Sequence, residues 1–179
     1  MKTDFRQRMH YLWLLPAADS GTRCRTVIED LAQQAGTWPF DPHLTLLGSV
    51  TGQTSTLTET ARNLAQALAP LRINFELTGH GPQHFRCVYW AAALDAGLAS
   101  TRAAAEQTFG VTGKASPFFP HLSLVYGALP PAARERLAHQ AEPLRPAGLV
   151  VDHLQLIAGA PDHRDWQVVG HFALNGPEP

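Results

Sequence analysis

Cysteine is scarce in this sequence of 179 residues, where Cys24 and Cys87 are the only two. Two cysteines are too few for a disulfide scaffold and exclude a cysteine-rich zinc module. We expect each of them to pack as a small apolar side chain. This low cysteine content is consistent with a reducing compartment.

The sequence also lacks a surplus of charge and any long hydrophobic run. Lysine and arginine together number 14, against 15 aspartates and glutamates, which leaves a net charge of −1. A chain so close to neutral has no overall positive potential that would attract a long polyanion, which disfavours binding of duplex nucleic acid. Binding of a small anion by a few hydrogen-bond donors remains compatible with this charge. The apolar run at 11–15 is too short for a signal peptide or a membrane span, so we expect a cytoplasmic protein without a membrane partner.

An internal repeat is the clearest pattern that is present. Residues 39–46 read Pro-Phe-Asp-Pro-His-Leu-Thr-Leu, and residues 117–124 read Pro-Phe-Phe-Pro-His-Leu-Ser-Leu. Six of these eight positions are identical, and His43 and His121 lie 78 residues apart, close to half of the chain. Chance is a poor explanation for two prolines, a histidine and a hydroxyl residue in the same order, so the repeat predicts two similar halves.

The pattern around the repeat predicts an α+β fold in a single domain. Helical periodicity and short apolar runs give the order β-α-β-α-β followed by β-α-β-α-β-β. We expect two pseudo-symmetric lobes, lobe 1 at about 10–79 and lobe 2 at about 84–174, each an antiparallel sheet with helices on its outer face and with a cleft between the sheets. Terminal strands can exchange between the lobes, and we expect a monomer. The predicted strands outside the motifs cover residues 11–15, 72–78, 88–94, 149–158 and 166–174.

Each copy of the motif places two polar side chains on one face of a strand. Side chains alternate along a strand, so His43 and Thr45 project together, away from the neighbouring leucines, and so do His121 and Ser123. Where the two faces meet, one imidazole can accept a proton from water while the other donates one to a leaving oxygen. The two hydroxyls can donate to phosphoryl oxygens. This set suffices for phosphodiester hydrolysis without a metal or another cofactor, whereas one copy alone would indicate only a strand with a polar face.

The remaining polar residues carry weaker signals. The other histidines form neither a His-Glu-x-x-His helix nor a site with a Cys-x-x-Cys pair, so the sequence predicts no metal site. The segment 110–116, which contains Lys114, lacks the spacing of a phosphate-binding loop. We expect it to be a flexible connector that can cover the cleft.

The two motif strands resemble those of the 2H phosphoesterase superfamily. The segments 42–48 and 120–127 are most similar to its cyclic phosphodiesterase branch, known from plants and yeast, and the similarity in motif order and spacing runs from Tyr11 to about Phe172. The resemblance implies a catalytic tetrad that consists of His43, Thr45, His121 and Ser123. It further implies that Trp13 and Tyr126 are aromatic walls that hold the nucleoside, although strict alternation would face Tyr126 away from the motif unless a strand end or bulge turns it back.

By the same resemblance, the expected activity is metal-independent hydrolysis of ribose cyclic phosphates to phosphomonoesters. The expected substrates are ADP-ribose 1″,2″-cyclic phosphate and nucleoside 2′,3′-cyclic phosphates. Two alternatives stay open: an enzyme that acts on 2′,3′-cyclic or 2′–5′ linkages at RNA ends, and a non-catalytic nucleotide-binding module. The sequence does not decide which histidine is the base. Plant members carry additional cysteines that this chain lacks, so redox control of that kind is not expected.

Overall fold

A computed structural model describes residues 9–111 and 117–177, and the predicted connector around Lys114 lies outside these residues. The helices and strands of the described part follow the predicted order. The strands are β1 (His10–Pro16), β2 (Leu44–Val50), β3 (Leu71–His80), β4 (Val88–Ala92), β5 (His121–Val125), β6 (Gly148–Ala158) and β7 (Gln167–Ala173). The α-helices are α1 (Ala18–Ala35), α2 (Thr54–Ala67), α3 (Ala96–Phe109) and α4 (Pro131–Ala141). Short 3₁₀ helices cover His84–Arg86, Glu142–Leu144 and His163–Asp165.

The two helices that precede the motifs end in the same way. Both α1 and α3 stop at a glycine, Gly36 and Gly110, whose φ angles of 67° and 63° are left-handed. An L side chain rarely adopts this conformation, so glycine ends each helix at little cost and turns the chain toward the following strand. The halves are therefore alike in their local structure as well as in the motif.

The seven strands form one continuous antiparallel sheet, which folds into two parts that we call the two sheets. One sheet has the order β2-β1-β6-β7 and the other the order β5-β4-β3. The first residues of β6 also pair with β3, and β2 meets β5, so the strands close into a ring that carries β7 on its outside. Each sheet is covered by two helices on its outer face, as predicted for the α+β class.

Both sheets combine strands from both halves of the sequence. Strands β1 and β2 share a sheet with β6 and β7 of the second half, while β3 pairs with β4. The helices also pack across the two halves: α1 of the first half packs on β5 of the second, and α3 of the second half packs on β2 of the first. The halves at about 10–79 and 84–174 therefore contribute to both sheets, and their boundaries as lobes stay a proposal.

The two motif strands touch at one point. Leu44 of β2 is directly opposite Leu122 of β5, and both side chains are buried in the core. Extending this antiparallel register by one residue on each side places Thr45 opposite His121, and His43 opposite Ser123. Each histidine thus faces the hydroxyl residue of the other motif, on the face away from the leucines.

A buried arginine fastens α3 to β2. The Arg102 side chain donates from one nitrogen to the carbonyl oxygen of Leu46 and from Nε to a carboxylate oxygen of Glu106 at 2.7 Å. Its guanidinium carbon also lies 4.5 Å from the ring centre of Phe118. Only 7% of Arg102 is exposed, so these interactions act largely out of water. They connect a helix of the second half to the first motif strand.

We predict that Arg102→Met lowers the free energy of unfolding by about 2 kcal/mol, because it removes charge-assisted hydrogen bonds from a buried position while keeping the apolar stem. Urea denaturation monitored by circular dichroism measures the change. Arg23→Met, on the exposed side of α1, is the matched control and should change stability by less than about 0.5 kcal/mol. Equal effects of the two substitutions would contradict the role assigned to Arg102.

Candidate active site

The two motif histidines are held by the same local contact. Nδ1 of His43 lies 2.6 Å from the carbonyl oxygen of Asp41, and Nδ1 of His121 lies 2.8 Å from that of Phe119. In both cases the acceptor is two residues upstream, so an Nδ1–H donates to it and Nε2 carries the lone pair in the neutral ring. The proline that precedes each histidine extends the chain and helps to place this carbonyl.

The six site residues predicted from the sequence line one cavity of about 200 Å³ between the sheets. They are Trp13, His43, Thr45, His121, Ser123 and Tyr126. Tyr11, Phe85 and Trp166 complete most of the wall. The structure therefore brings together residues from β1, both motif strands and two turns.

His43 is the more enclosed of the two histidines. Only 4% of it is exposed, and the ring of Trp13 stacks on it with centroids 3.5 Å apart and an angle of 10°. The Tyr126 hydroxyl donates to its Nε2 at 3.2 Å. Burial lowers the pKa of His43 to about 4, because the charged form loses hydration, although the Asp41 carbonyl acts in the opposite direction.

His121 is more open. It is half-buried, and its ring has Tyr89 and Phe119 as neighbours, with centroids 5.6 Å away in both cases. Its pKa is also lowered, first by burial and then by the positive charge of Arg86, against the opposing effect of the Phe119 carbonyl. Two histidines with the same motif and the same Nδ1 contact thus lie in different environments.

The two hydroxyl residues also differ in burial, but here the residue of the second motif, Ser123, is the more enclosed. Thr45 is half-buried and lines the cavity. Ser123 is only 4% exposed, and its hydroxyl donates to the carbonyl oxygen of Phe85 at 2.7 Å. Ser123 must turn away from this carbonyl before it can donate to a ligand, while the Thr45 hydroxyl needs no such change.

Tyr126 points into the cleft, because it follows the last residue of β5 and is released from strand alternation. One face of its ring is covered by Phe40, with centroids 3.6 Å apart and an angle of 9°. Burial raises the pKa of its hydroxyl. Trp13 and Tyr126 each have one face occupied by the protein, and their role in holding a nucleoside stays a proposal.

The turns that close the cleft were not predicted from the sequence. Phe85 and Trp166 lie at the 3₁₀ helices His84–Arg86 and His163–Asp165. A weak signal exists, since Pro82-Gln83-His84 and Pro161-Asp162-His163 repeat at an offset of 79 residues, almost that of the main motif. The ring centroids of His84 and His163 are 6.3 Å apart. The two copies of this shorter repeat therefore lie next to each other in the structure, as the two copies of the main motif do.

Comparison with known proteins identifies the family. A family model for the 2′-5′ RNA ligase superfamily matches residues 15–162, which is most of the chain. The chain belongs to this superfamily. The match confirms the resemblance to 2H phosphoesterases, and it indicates an enzyme of phosphodiester chemistry. No curated protein matches the chain.

Solved structures share the fold of this superfamily member at low sequence identity. TT0787 of Thermus thermophilus is 18% identical with a TM-score of 0.61, covering 95% of this chain and 100% of that one. E. coli LigT in its apo form is 16% identical with a TM-score of 0.59, covering 93% and 97%. E. coli LigT complexed with 3′-AMP is 13% identical with a TM-score of 0.58, covering 94% and 98%. These similarities confirm the predicted α+β fold.

Metal-binding clusters and membrane-spanning helices are both absent from the described part of this superfamily member. In 9–111 and 117–177, no three or more His, Cys, Asp or Glu side chains are grouped so that they could hold a metal ion. Within the same residues, no helix is long and apolar enough to cross a membrane. Cys24 and Cys87 are both free and buried, as expected from the sequence.

We predict that His43 makes folding sensitive to acid. Its pKa is about 4 in the folded chain and about 6.5 when unfolded, so the unfolded state binds the proton more tightly. The contribution of His43 to the free energy of unfolding is therefore fully present above pH 6.5 and is lost as the pH falls toward 4. At pH 4.5 the loss is about 2–3 kcal/mol.

Urea unfolding at pH 7 and pH 4.5 measures this loss, and His43→Gln should lose less stability between the two values by about 2 kcal/mol. His139→Gln, exposed on α4, is the control and should follow the parent protein. A pH dependence that is the same for His43→Gln and the parent would show that His43 is not buried in its neutral form.

Proposed function

We propose that this protein hydrolyses ribose cyclic phosphates to phosphomonoesters by acid–base catalysis with two histidines. The observation that carries the proposal is the symmetric fixation of the rings: each Nδ1 is bound to the carbonyl two residues upstream, and both rings line one cavity. Binding alone does not require two titrating groups held in this way, which argues against a non-catalytic nucleotide-binding module.

In the proposed reaction, water attacks the phosphorus of the cyclic ester. One imidazole Nε2 takes a proton from the water as the new P–O bond forms. The bond from phosphorus to one ribose oxygen breaks, and the Nε2–H of the other imidazole gives its proton to that oxygen. The products are a phosphomonoester and a free ribose hydroxyl, and proton exchange with solvent restores both rings.

We assign His43 as the base and His121 as the acid. A pKa of about 4 keeps His43 neutral at physiological pH, as a base requires. His121 is less enclosed, and the negative charge of a bound phosphate favours its protonated form. The Tyr126 hydroxyl, which rests on Nε2 of His43, moves to a phosphoryl oxygen when the attacking water takes its place.

The hydroxyls of Thr45 and Ser123 stabilise the phosphoryl oxygens in this proposal. As charge grows on these oxygens in the transition state, each O–H donor strengthens its hydrogen bond. Thr45 is available at once. Ser123 must first leave the carbonyl of Phe85, so its net contribution is expected to be the smaller of the two.

The size of the site favours small substrates. A cavity of about 200 Å³ suits a ribose cyclic phosphate, which is the class expected from the cyclic phosphodiesterase resemblance. The 3′-AMP complex of E. coli LigT is consistent with this class, since 3′-AMP is a ribose phosphomonoester. The superfamily description favours RNA ends as a second candidate, whereas the net charge of −1 disfavours a long RNA.

The substrate prediction is tested with a panel of cyclic phosphates and product analysis by chromatography. We expect opening of ADP-ribose 1″,2″-cyclic phosphate and of nucleoside 2′,3′-cyclic phosphates, with 3′,5′-cyclic nucleotides as poor substrates. Activity should persist in EDTA, because acid, base and donors are all side chains. Comparable rates on 3′,5′-cyclic nucleotides would refute the substrate class, and loss of activity in EDTA with recovery on adding a divalent ion would refute the metal-independent mechanism.

The catalytic roles are tested by substitution. We expect His43→Ala and His121→Ala each to lower kcat by at least about 100-fold, the lower end for general acid–base catalysis. Thr45→Ala should cost less, and Ser123→Ala less again. The alkaline limb of the pH–rate profile should disappear in the residual activity of His121→Ala. His139→Ala is the control and should keep the parent rate; near-normal turnover in either motif-histidine variant would disprove the two-histidine mechanism.

A further inference from the structure

A half-buried arginine lies next to the aromatic rings that surround His121. The guanidinium carbon of Arg86 is 4.9 Å from the ring centre of Phe119 and 5.9 Å from that of Tyr89. Both rings are neighbours of His121, with centroids 5.6 Å from the imidazole. A single layer of aromatic rings therefore separates this cation from the histidine that we assign as the acid.

Strand register places this arrangement on the cleft side of the second sheet. Tyr89 of β4 pairs with Ser123 of β5 on one side and with Gly79 of β3 on the other. Residues paired across a sheet share a face, so the Tyr89 ring lies on the same face as Ser123. A Cβ atom at Gly79 would lie 2.6 Å from atoms of this ring, so glycine leaves the space that the ring occupies across β3. The Tyr89 ring thus extends the wall of the cleft beyond the motif residues.

Within residues 9–111 and 117–177, Arg86 has no anionic partner. Its side chain makes the two aromatic contacts without forming an ion pair or a hydrogen bond, and its nitrogens remain accessible to solvent. By contrast, Arg164 also packs on an aromatic ring, but it is paired with Asp162. The N–H donors of Arg86 are therefore available to a ligand.

The charge of Arg86 opposes the proposed acid while it is uncompensated. Burial is the main cause of the lowered pKa of His121, and the positive charge of Arg86 lowers it further. This works against the protonated ring that the acid step requires. Arg86 lies outside the wall of the reaction cavity, so a second anionic group of the substrate, rather than the reacting phosphate, is the partner that would neutralise it.

The proposed reaction provides such a group on the correct side. His121 gives its proton to the ribose oxygen that leaves phosphorus, so the ribose lies on the His121 side of the phosphate. ADP-ribose 1″,2″-cyclic phosphate carries its diphosphate on carbon 5 of this ribose, and the last nucleotide of an RNA end carries its phosphodiester there. A guanidinium suits either group, because two of its N–H donors match two phosphoryl oxygens.

We propose that Arg86 binds the phosphoryl group on carbon 5 of the ribose that carries the cyclic phosphate. The inference deepens the proposed function and depends on it for placing the ribose beside His121. It makes Arg86 a specificity-determining residue, which favours substrates with this second phosphoryl group over simple nucleoside 2′,3′-cyclic phosphates.

The test compares two non-reacting ligands that differ only in the second phosphate. Calorimetric titration measures binding of 3′-AMP and of adenosine 3′,5′-bisphosphate. The parent protein should bind the bisphosphate about tenfold more tightly, since it alone receives charge-assisted hydrogen bonds from Arg86. Arg86→Met keeps the apolar stem over the rings and should bind the two ligands with nearly equal affinity.

Arg62→Met is the matched control. Arg62 is an exposed arginine of α2 that also packs on an aromatic ring, 5.4 Å from the ring centre of Phe172. This variant should keep the tenfold ratio. Equal binding of the two ligands by the parent protein would overturn the subsite, and so would an unchanged ratio in a folded Arg86→Met. If Arg86→Met does not fold, Arg86→Gln serves in its place.

Turnover identifies the source of the second phosphoryl group. Arg86→Met should lower kcat/KM about tenfold on ADP-ribose 1″,2″-cyclic phosphate, on the dinucleotide ApA with a 2′,3′-cyclic phosphate, or on both, and should leave adenosine 2′,3′-cyclic phosphate within about twofold. A loss confined to the first substrate assigns the site to a diphosphate, and a loss confined to the second assigns it to RNA ends. A loss on neither would overturn the proposal.

The binding ratio separates this inference from the proposed function. An Arg86-dependent ratio without turnover of any cyclic phosphate would refute the proposed hydrolysis and support the phosphoryl subsite. Turnover without that ratio would support the hydrolysis and refute the subsite.

Discussion

The site depends on one backbone contact, the pairing of Leu44 with Leu122 where the two sheets meet. Because side chains alternate, burying these two leucines turns His43 and His121 to the cleft. A slip of one residue in either strand would send its histidine to the helix side and a leucine into the cavity. The two neighbouring prolines and the carbonyls of Asp41 and Phe119 then orient rings whose positions the leucine pair has already set.

The same local frame supports two chemically different histidines. The motif sequences and the Nδ1 contacts are nearly identical, but Trp13 and Tyr126 enclose His43 while His121 is more accessible. Burial is the largest cause of the lowered pKa at both rings. A symmetric scaffold thus holds an asymmetric acid–base pair, and the difference comes from residues outside the repeat.

Patterns that are local in sequence were sufficient to predict the order of elements and the residues that meet in the cleft. The repeat and the alternation rule identify His43, Thr45, His121 and Ser123 as neighbours because both operate over a few residues. Contacts between distant segments were not predictable in this way. The hydrogen bond from Ser123 to the carbonyl oxygen of Phe85 is one such contact, and the hydrogen bond from Arg102 to the carbonyl oxygen of Leu46 is another. Pairing between strands of different halves likewise depends on which strand edges remain unpaired after the helices have packed. This information is not contained in the sequence of any single segment.

The exchange of strands between the halves bears on how the chain folds during synthesis. The first half leaves the ribosome with β1 and β2 ready to pair, yet β1 finds the second of its two neighbours only in β6, near the end of the chain. Pairing of such distant segments is slow, and apolar strand edges stay exposed until it occurs. The first half therefore cannot complete its sheet on its own, and the sheet that holds the first motif is complete only once β6 has been synthesised.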